Sequence, residues 1–156
     1  IVRTVGVLAV LVFAVMLWIT RDEDLISQSA YALSPNRIWY ILMHLSIMFT
    51  FALDAAVGRR HWGWATAIAS AGTLAFNMYD YSLVHNIFTA GIVCFAVFNI
   101  IYYSMPKNRV FAIVNSGTGT LIFLLGVLAD VNIFFAEVAV EFCIAVGILR
   151  RIWNIK

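Results

Sequence analysis

Apolar residues gather in six long stretches divided by short polar breaks, near 1–20, 37–57, 62–79, 82–105, 110–129 and 131–149. Each approaches the roughly 20 residues that a helix needs to cross hydrocarbon. The breaks are small and chemically distinct. Arg21, Asp22, Glu23 and Asp24 open the one sizeable loop, which closes at Ser34, Pro35 and Asn36. Gly58, Arg59, Arg60 and His61 make the second break, Asp80 the third, Pro106 to Arg109 the fourth, and Asp130 with Asn132 the fifth. Connections this short force consecutive helices to run antiparallel. Irregular backbone cannot face lipid, so helices are the economical solution for every stretch. The pattern predicts an all-α polytopic transmembrane bundle of about six helices, a single domain over residues 1–156. The first stretch exceeds the apolar core of a cleavable signal, about 7–15 residues, and shows no clear small-x-small exit, so it reads as a retained helix.

Composition sharpens this. Charged residues make up 12% of the chain, half the share of about a quarter that a soluble domain carries. The outer surface must therefore meet something apolar, which predicts an integral, multi-pass membrane protein with membrane lipids as its surroundings. Lys and Arg collect in cytoplasmic segments of membrane proteins. With six spans and the N-terminus inside, Arg3, Arg59, Arg60, Lys107, Arg109, Arg150, Arg151 and Lys156 share one side, eight of the ten basic residues. Arg21 and Arg37 fall on the other, with Asp22, Glu23, Asp24, Asp80 and Asp130. Removing one middle span scrambles that division, so the count and a cytoplasmic placement of both termini support each other. A net charge of +2 spread along the chain makes no nucleic-acid patch. Cys94 and Cys143 sit in apolar runs without ligand spacing and read as buried structural thiols.

Ionisable groups at membrane depth are costly and usually face the bundle interior or a cavity. Here they are His44, Asp54, His85, Glu137 and Glu141. The helical rise of about 1.5 Å per residue places His44, His85, Glu137 and Glu141 in one layer of the outer half, with Asn86 beside it and Asp80 and Asp130 at its rim. Glu137 and Glu141 are spaced i,i+4 on one face. One of them must hold its proton, or a cation must offset the pair. His85 is the natural partner, in a stripe with Thr89, Ala96 and Asn99. Such a layer reads as a pocket open to the outside for a headgroup, a metal ion or a proton. The structural alternative is that these groups bond to one another and fix helix packing. Asp80 and Asp130 also suit the caps of the helices that follow them. Asp54 lies within a turn or so of Arg59 and Arg60 and reads as an interfacial ion pair. Ser116, Gly117 and Gly119 form a small-residue run suited to close helix packing; without Lys or a preceding strand it is no phosphate loop.

Catalytic signatures are weak. His44 and His85 would need to face one slot to hold haem. Together with Glu137 they offer three of the three or four ligands that zinc takes, but the chain has no His-Glu-x-x-His, and no Gly-x-Ser-x-Gly frames a nucleophile. No resident cofactor is predicted beyond bound lipid, and the balance leans away from an enzyme.

Three segments carry a family resemblance. They are Leu25-Ile-Ser-Gln-Ser29 followed by Pro35, Val84-His-Asn-Ile-Phe-Thr-Ala-Gly91, and Ala136-Glu-Val-Ala-Val-Glu141 in a last helix ending in basic residues. Together they resemble the damage-regulated autophagy modulator (DRAM) family of six-helix membrane proteins. The chain departs in its short loops and in Phe142, where that family tends to place Trp. The resemblance implies a six-span fold with a role in lipid handling or trafficking, His85 and one of Glu137 or Glu141 matching the family's polar residues. Two functions therefore stand. The first is a small accessory or structural subunit of a larger membrane complex, with other membrane proteins as partners. The second is an autonomous six-helix protein with a pocket built from His44, His85, Asn86, Glu137 and Glu141.

Overall fold

The structure, a computed structural model, describes residues 1–20, 28–129 and 133–153. Among them are six α-helices, one short 3-10 helix at Gln28–Leu33, and no strand. The helices are α1 (Val2–Ile19), α2 (Arg37–Gly58), α3 (His61–Ala75), α4 (Ser82–Tyr103), α5 (Pro106–Leu128) and α6 (Ile133–Trp153). The all-helical bundle expected from the apolar pattern is thus what the chain forms. Four of the helices, Val2–Ile19, Arg37–Gly58, Ser82–Tyr103 and Pro106–Gly126, are long and apolar enough to cross a membrane.

The other two differ for separate reasons. α6 has the length but carries Glu137, Glu141, Arg150 and Arg151. α3 is 15 residues long, about 22 Å of helix at 1.5 Å per residue, and it stops short of the stretch expected over 62–79. The stop is local chemistry. Phe76 is extended, and Asn77 Oδ1 accepts from the amides of Tyr79 at 3.0 Å and Asp80 at 2.9 Å. An Asn side chain that holds the two following amides is a turn device that competes with helix.

Consecutive helices alternate up and down. α1 packs on α2, α2 on α3 and α3 on α4; α6 closes the ring against α4 and α1. α5 stands outside it, leaning chiefly on α6 and only slightly on α4. α3 sits in the ring between α2 and α4, and its inner face is made of small residues: Gly63, Thr66, Ala67, Ala69, Ser70, Gly72 and Thr73 are all buried. A Cβ at Gly63 would lie 2.8 Å from the Phe51 carbonyl oxygen and 3.0 Å from the Ala55 methyl. Only glycine lets α2 and α3 approach so closely. The hydroxyls of Thr66 and Thr73 donate to Trp62 and Ala69 carbonyls one turn back, so small polar residues sit here without leaving a donor stranded.

Polar side chains are buried within an apolar core, and the outer surface is apolar as well. His44, Asp54, Thr66, Ser70, Thr73, His85 and Asn99 are buried, while Leu8, Val12, Phe49, Ile68, Ile87, Phe98, Ile113, Leu121 and Phe142 are exposed. An outer surface of that kind suits lipid and not water.

Candidate functional site

Polar side chains collect at two levels, one toward each end of the bundle. The first end holds the start of α1, the close of α2, the start of α3, the close of α4, the start of α5 and the close of α6. Arg3, Arg59, Arg60, Lys107, Arg109, Arg150 and Arg151 all lie there, and Asp54 is the one acid among the described residues of that end. Asp54 Oδ1 accepts from Arg60 Nη1 at 2.6 Å and Arg3 Nη1 at 2.9 Å, and its Oδ2 accepts from Arg151 Nη2 at 2.6 Å. Arg151 Nη1 also donates to the Asn99 carbonyl at 2.9 Å and to Asn99 Oδ1. One carboxylate thereby joins α1, α2, the α2–α3 connection and α6, and Arg151 carries the network on to α4.

The expected local pair of Asp54 with Arg59 and Arg60 is therefore corrected. Arg60 is a partner, but Arg3 and Arg151 arrive from 51 and 97 residues away, and Arg59 is exposed. Arg59 has a backbone role: its φ of 52° ends α2 in a left-handed cap, and the Arg60 amide then donates to the Ala55 carbonyl. That reversal aims the Arg60 side chain back at Asp54. Arg60 also lies over the Tyr103 ring, 5.6 Å from its centroid, and Trp153 Nε1 donates to Thr4 Oγ1 at 3.0 Å, clasping α6 to α1 beside Arg3.

The opposite end carries the candidate layer. Glu137 and Glu141 share a face of α6, and both accept from Gln28 in the 3-10 helix. The Gln28 amide N–H lies 2.6 Å from Glu137 Oε2 and its side-chain Nε2 lies 3.1 Å from Glu141 Oε2. Gln28 is buried. It was not foreseen, because it belongs to a loop without apolar period; its one signal is its place in Leu25-Ile-Ser-Gln-Ser29.

The two histidines are held from other directions. His44 Nδ1 lies 3.1 Å from Ser70 Oγ on α3, and that hydroxyl donates to the His44 carbonyl at 3.0 Å. Since the serine proton is spent on the carbonyl, His44 Nδ1 is the donor to Ser70. The Tyr40 ring meets the His44 ring edge-on at 4.5 Å. His85 is fully buried, and its Nδ1 lies 2.7 Å from the Phe76 carbonyl that α3 releases where it ends. A carbonyl only accepts, so Nδ1 carries the proton there as well. Ser70 and Phe76 are partners the sequence did not suggest.

The remaining candidates separate. Asn86 is on the exposed face of α4, one residue round from buried His85. Asp80 is exposed and accepts from Asn77 Nδ2 at 2.7 Å; α4 starts after Tyr81 without a side-chain cap, so Asp80 closes a turn and does not cap that helix. Asp130 lies outside the described residues. Ser116 is buried, and a Cβ at Gly119 would lie 2.9 Å from the Cys143 Cβ, so both belong to the α5–α6 seam. Asn115 Nδ2 donates across that seam to the Cys143 carbonyl at 2.6 Å. Gly117 does not join it: a Cβ there meets nothing within 4 Å. Cys94, expected to be buried, is exposed on α4, whereas Cys143 is half-buried. No group of three metal-ligating side chains comes together among the described residues. An open apolar groove of about 270 Å³ runs between α1 and α2 along Val5, Gly6, Leu45 and Phe49.

Compared with family models, curated proteins and solved structures, the chain matches none.

Proposed function

We propose that this chain is a small accessory or structural subunit of a larger membrane assembly, without catalysis of its own. It crosses the bilayer six times with both termini cytoplasmic, α3 and α6 included. The observation that carries the reading is the position of α5. Inside, Ala112, Ser116 and Gly119 seat it on α6; outside, Val110, Val114, Gly117, Thr118, Leu121 and Leu125 are uncovered. A glycine beside a short hydroxyl on an otherwise aliphatic outer face is where another transmembrane helix can approach closely. The basic end supports the orientation through the cytoplasmic preference of Arg and Lys.

The test is native mass after gentle solubilisation from the source membrane. The reading expects a particle well above 17.5 kDa plus detergent, with other polypeptides in fixed ratio. Gly117→Leu should release those polypeptides while the chain stays folded. A lone chain would overturn the proposal.

A second reading has its own support. Glu137 and Glu141 on one face, met by the backbone N–H and the side chain of a buried Gln28 from a loop, describe a polar layer closed by a single residue. This is the autonomous protein with an outward-facing pocket, and a DRAM-like role in lipid handling belongs to it. A lone particle that co-purifies with lipid, and loses it on Glu141→Gln, would favour this reading.

A further inference from the structure

We propose that the basic end of the bundle is a binding site for a phosphate-bearing anion, gripped by Arg3 and Arg60 at its rim with Arg151 behind them.

Charge comes first. Three guanidiniums converge on a single carboxylate, leaving an excess of two positive charges around Asp54. Arg59, Lys107, Arg109 and Arg150 add to the same end, and no further acid among the described residues offsets them. A structural ion cluster is stable when charges cancel and donors match acceptors; this one is short of negative charge on both counts.

The donor inventory points the same way. A guanidinium offers five N–H groups and binds phosphate best through two at once. Arg3 and Arg60 each place one nitrogen on Asp54, both on the same oxygen, so neither makes the two-pronged contact and most of their donors stay free. Deeper in, Asn99 Nδ2 and Arg151 Nε are buried without an acceptor. Every unmet group in this cluster is a donor. At the exposed rim an anion supplies acceptors for the free donors of Arg3 and Arg60, which a cation or an apolar ligand would not.

Access fits as well. The side chains of Arg3 and Arg60 are 29% and 22% exposed, against 4% for Arg151 and 3% for Asp54. The inner pair is fixed and the outer pair is reachable. Asp54 gathers the guanidiniums but also competes with an incoming anion for them. Trp153, exposed and bonded to Thr4, stands beside Arg3 in the kind of place where an indole settles at headgroup level. On the six-span reading this end lies at headgroup level, where the phosphate of an anionic phospholipid meets these groups, and free phosphate presents the same oxygens.

The experiment uses the full chain in nanodiscs of phosphatidylcholine with or without phosphatidic acid, and reads lipid retention by native mass spectrometry. Arg3→Gln/Arg60→Gln should lower retained phosphatidic acid about ten-fold or more, while Arg59→Gln/Lys107→Gln, equal in charge change but outside the cluster, should leave it nearly unchanged. Equal loss in the two pairs would reduce the effect to a diffuse field and overturn the site. Retention unaltered in both would overturn it too. Asp54→Asn removes the competing carboxylate and should raise retention. If that variant does not fold, Arg3→Lys/Arg60→Lys keeps the charge, loses the planar fork, and should fall between wild type and the Gln pair. Added inorganic phosphate assigns the source: displacement of the lipid at comparable concentration identifies free phosphate as a ligand, and failure to displace identifies the headgroup in its membrane.

Discussion

The two ends of the bundle solve the burial of carboxyl groups in opposite ways. At the basic end one carboxylate is surrounded by three guanidiniums and ties α1, α2 and α6 together. At the other end two carboxyl groups on one helix face are met by one neutral loop residue, Glu137 by the Gln28 backbone N–H and Glu141 by its side-chain amide. In the first case ionic attraction and hydrogen bonds act together, so the charge itself holds helices. In the second, hydrogen bonds hold the loop in spite of two like groups one turn apart. The same residue chemistry is an anchor where counter-charges converge and a tension where they do not.

That contrast can be broken most forcefully at Asp54. Asp54→Asn leaves the buried Arg151 without its counter-charge and should cost about 3 kcal/mol of stability, read by denaturant titration in micelles. A cost no larger than that of Arg59→Gln, a surface change expected to stay within about 0.5 kcal/mol, would deny the basic end its anchoring role. Next in size is Gly63→Ala. The added methyl would press on the Phe51 carbonyl and lie 3.1 Å from Asn99 Nδ2, and such overpacking costs about 1–3 kcal/mol. Thermal unfolding should show it, and an unchanged midpoint would mean that α2, α3 and α4 can separate at no cost.

The acidic end should respond more weakly, and in one case with the opposite sign. Gln28→Leu removes the donor to Glu141 but keeps the backbone bond to Glu137, and should cost about 1 kcal/mol. Protease sensitivity of the loop around it should rise in parallel. Glu141→Gln retains an acceptor for Gln28 and removes one of two like groups. Stability should hold or rise by about 0.5 kcal/mol, against the large fall expected for Asp54→Asn. A comparable fall in both would show that the two ends are built alike after all.

The outline of the fold was legible in the sequence because hydrophobic length is a local property. Six apolar stretches with short polar breaks specify helices wherever backbone groups cannot reach water, and the described residues form six. The early end of α3 is the exception. Asn77 satisfies two amides of its own turn, and stretch-counting does not weigh a single side chain against a run of apolar ones. Rise per residue suggested a common level for His44, His85, Glu137 and Glu141, but the rotation of each about its helix was not legible. Nor were their partners. Gln28, Ser70 and the Phe76 carbonyl reach these groups through the loop's fold, helix rotation and the place where α3 stops.

Asp54 shows the division most plainly. Its neighbours in sequence, Arg59 and Arg60, suggested a local pair, yet two of its three ligands come from the opposite ends of the chain. Small residues teach the same lesson. The run at Ser116–Gly119 stood out in the sequence, but Gly117 faces outward, while close approaches also occur at Gly6 on α1 and at Gly63 and Gly72 on α3, where no such run is visible. Composition and period establish that a helix forms, roughly how long it is and how apolar it is, because those follow from each residue's own solvation. Which face meets which helix, and which charges converge, depends on packing all six helices at once, and no local stretch of sequence contains that information.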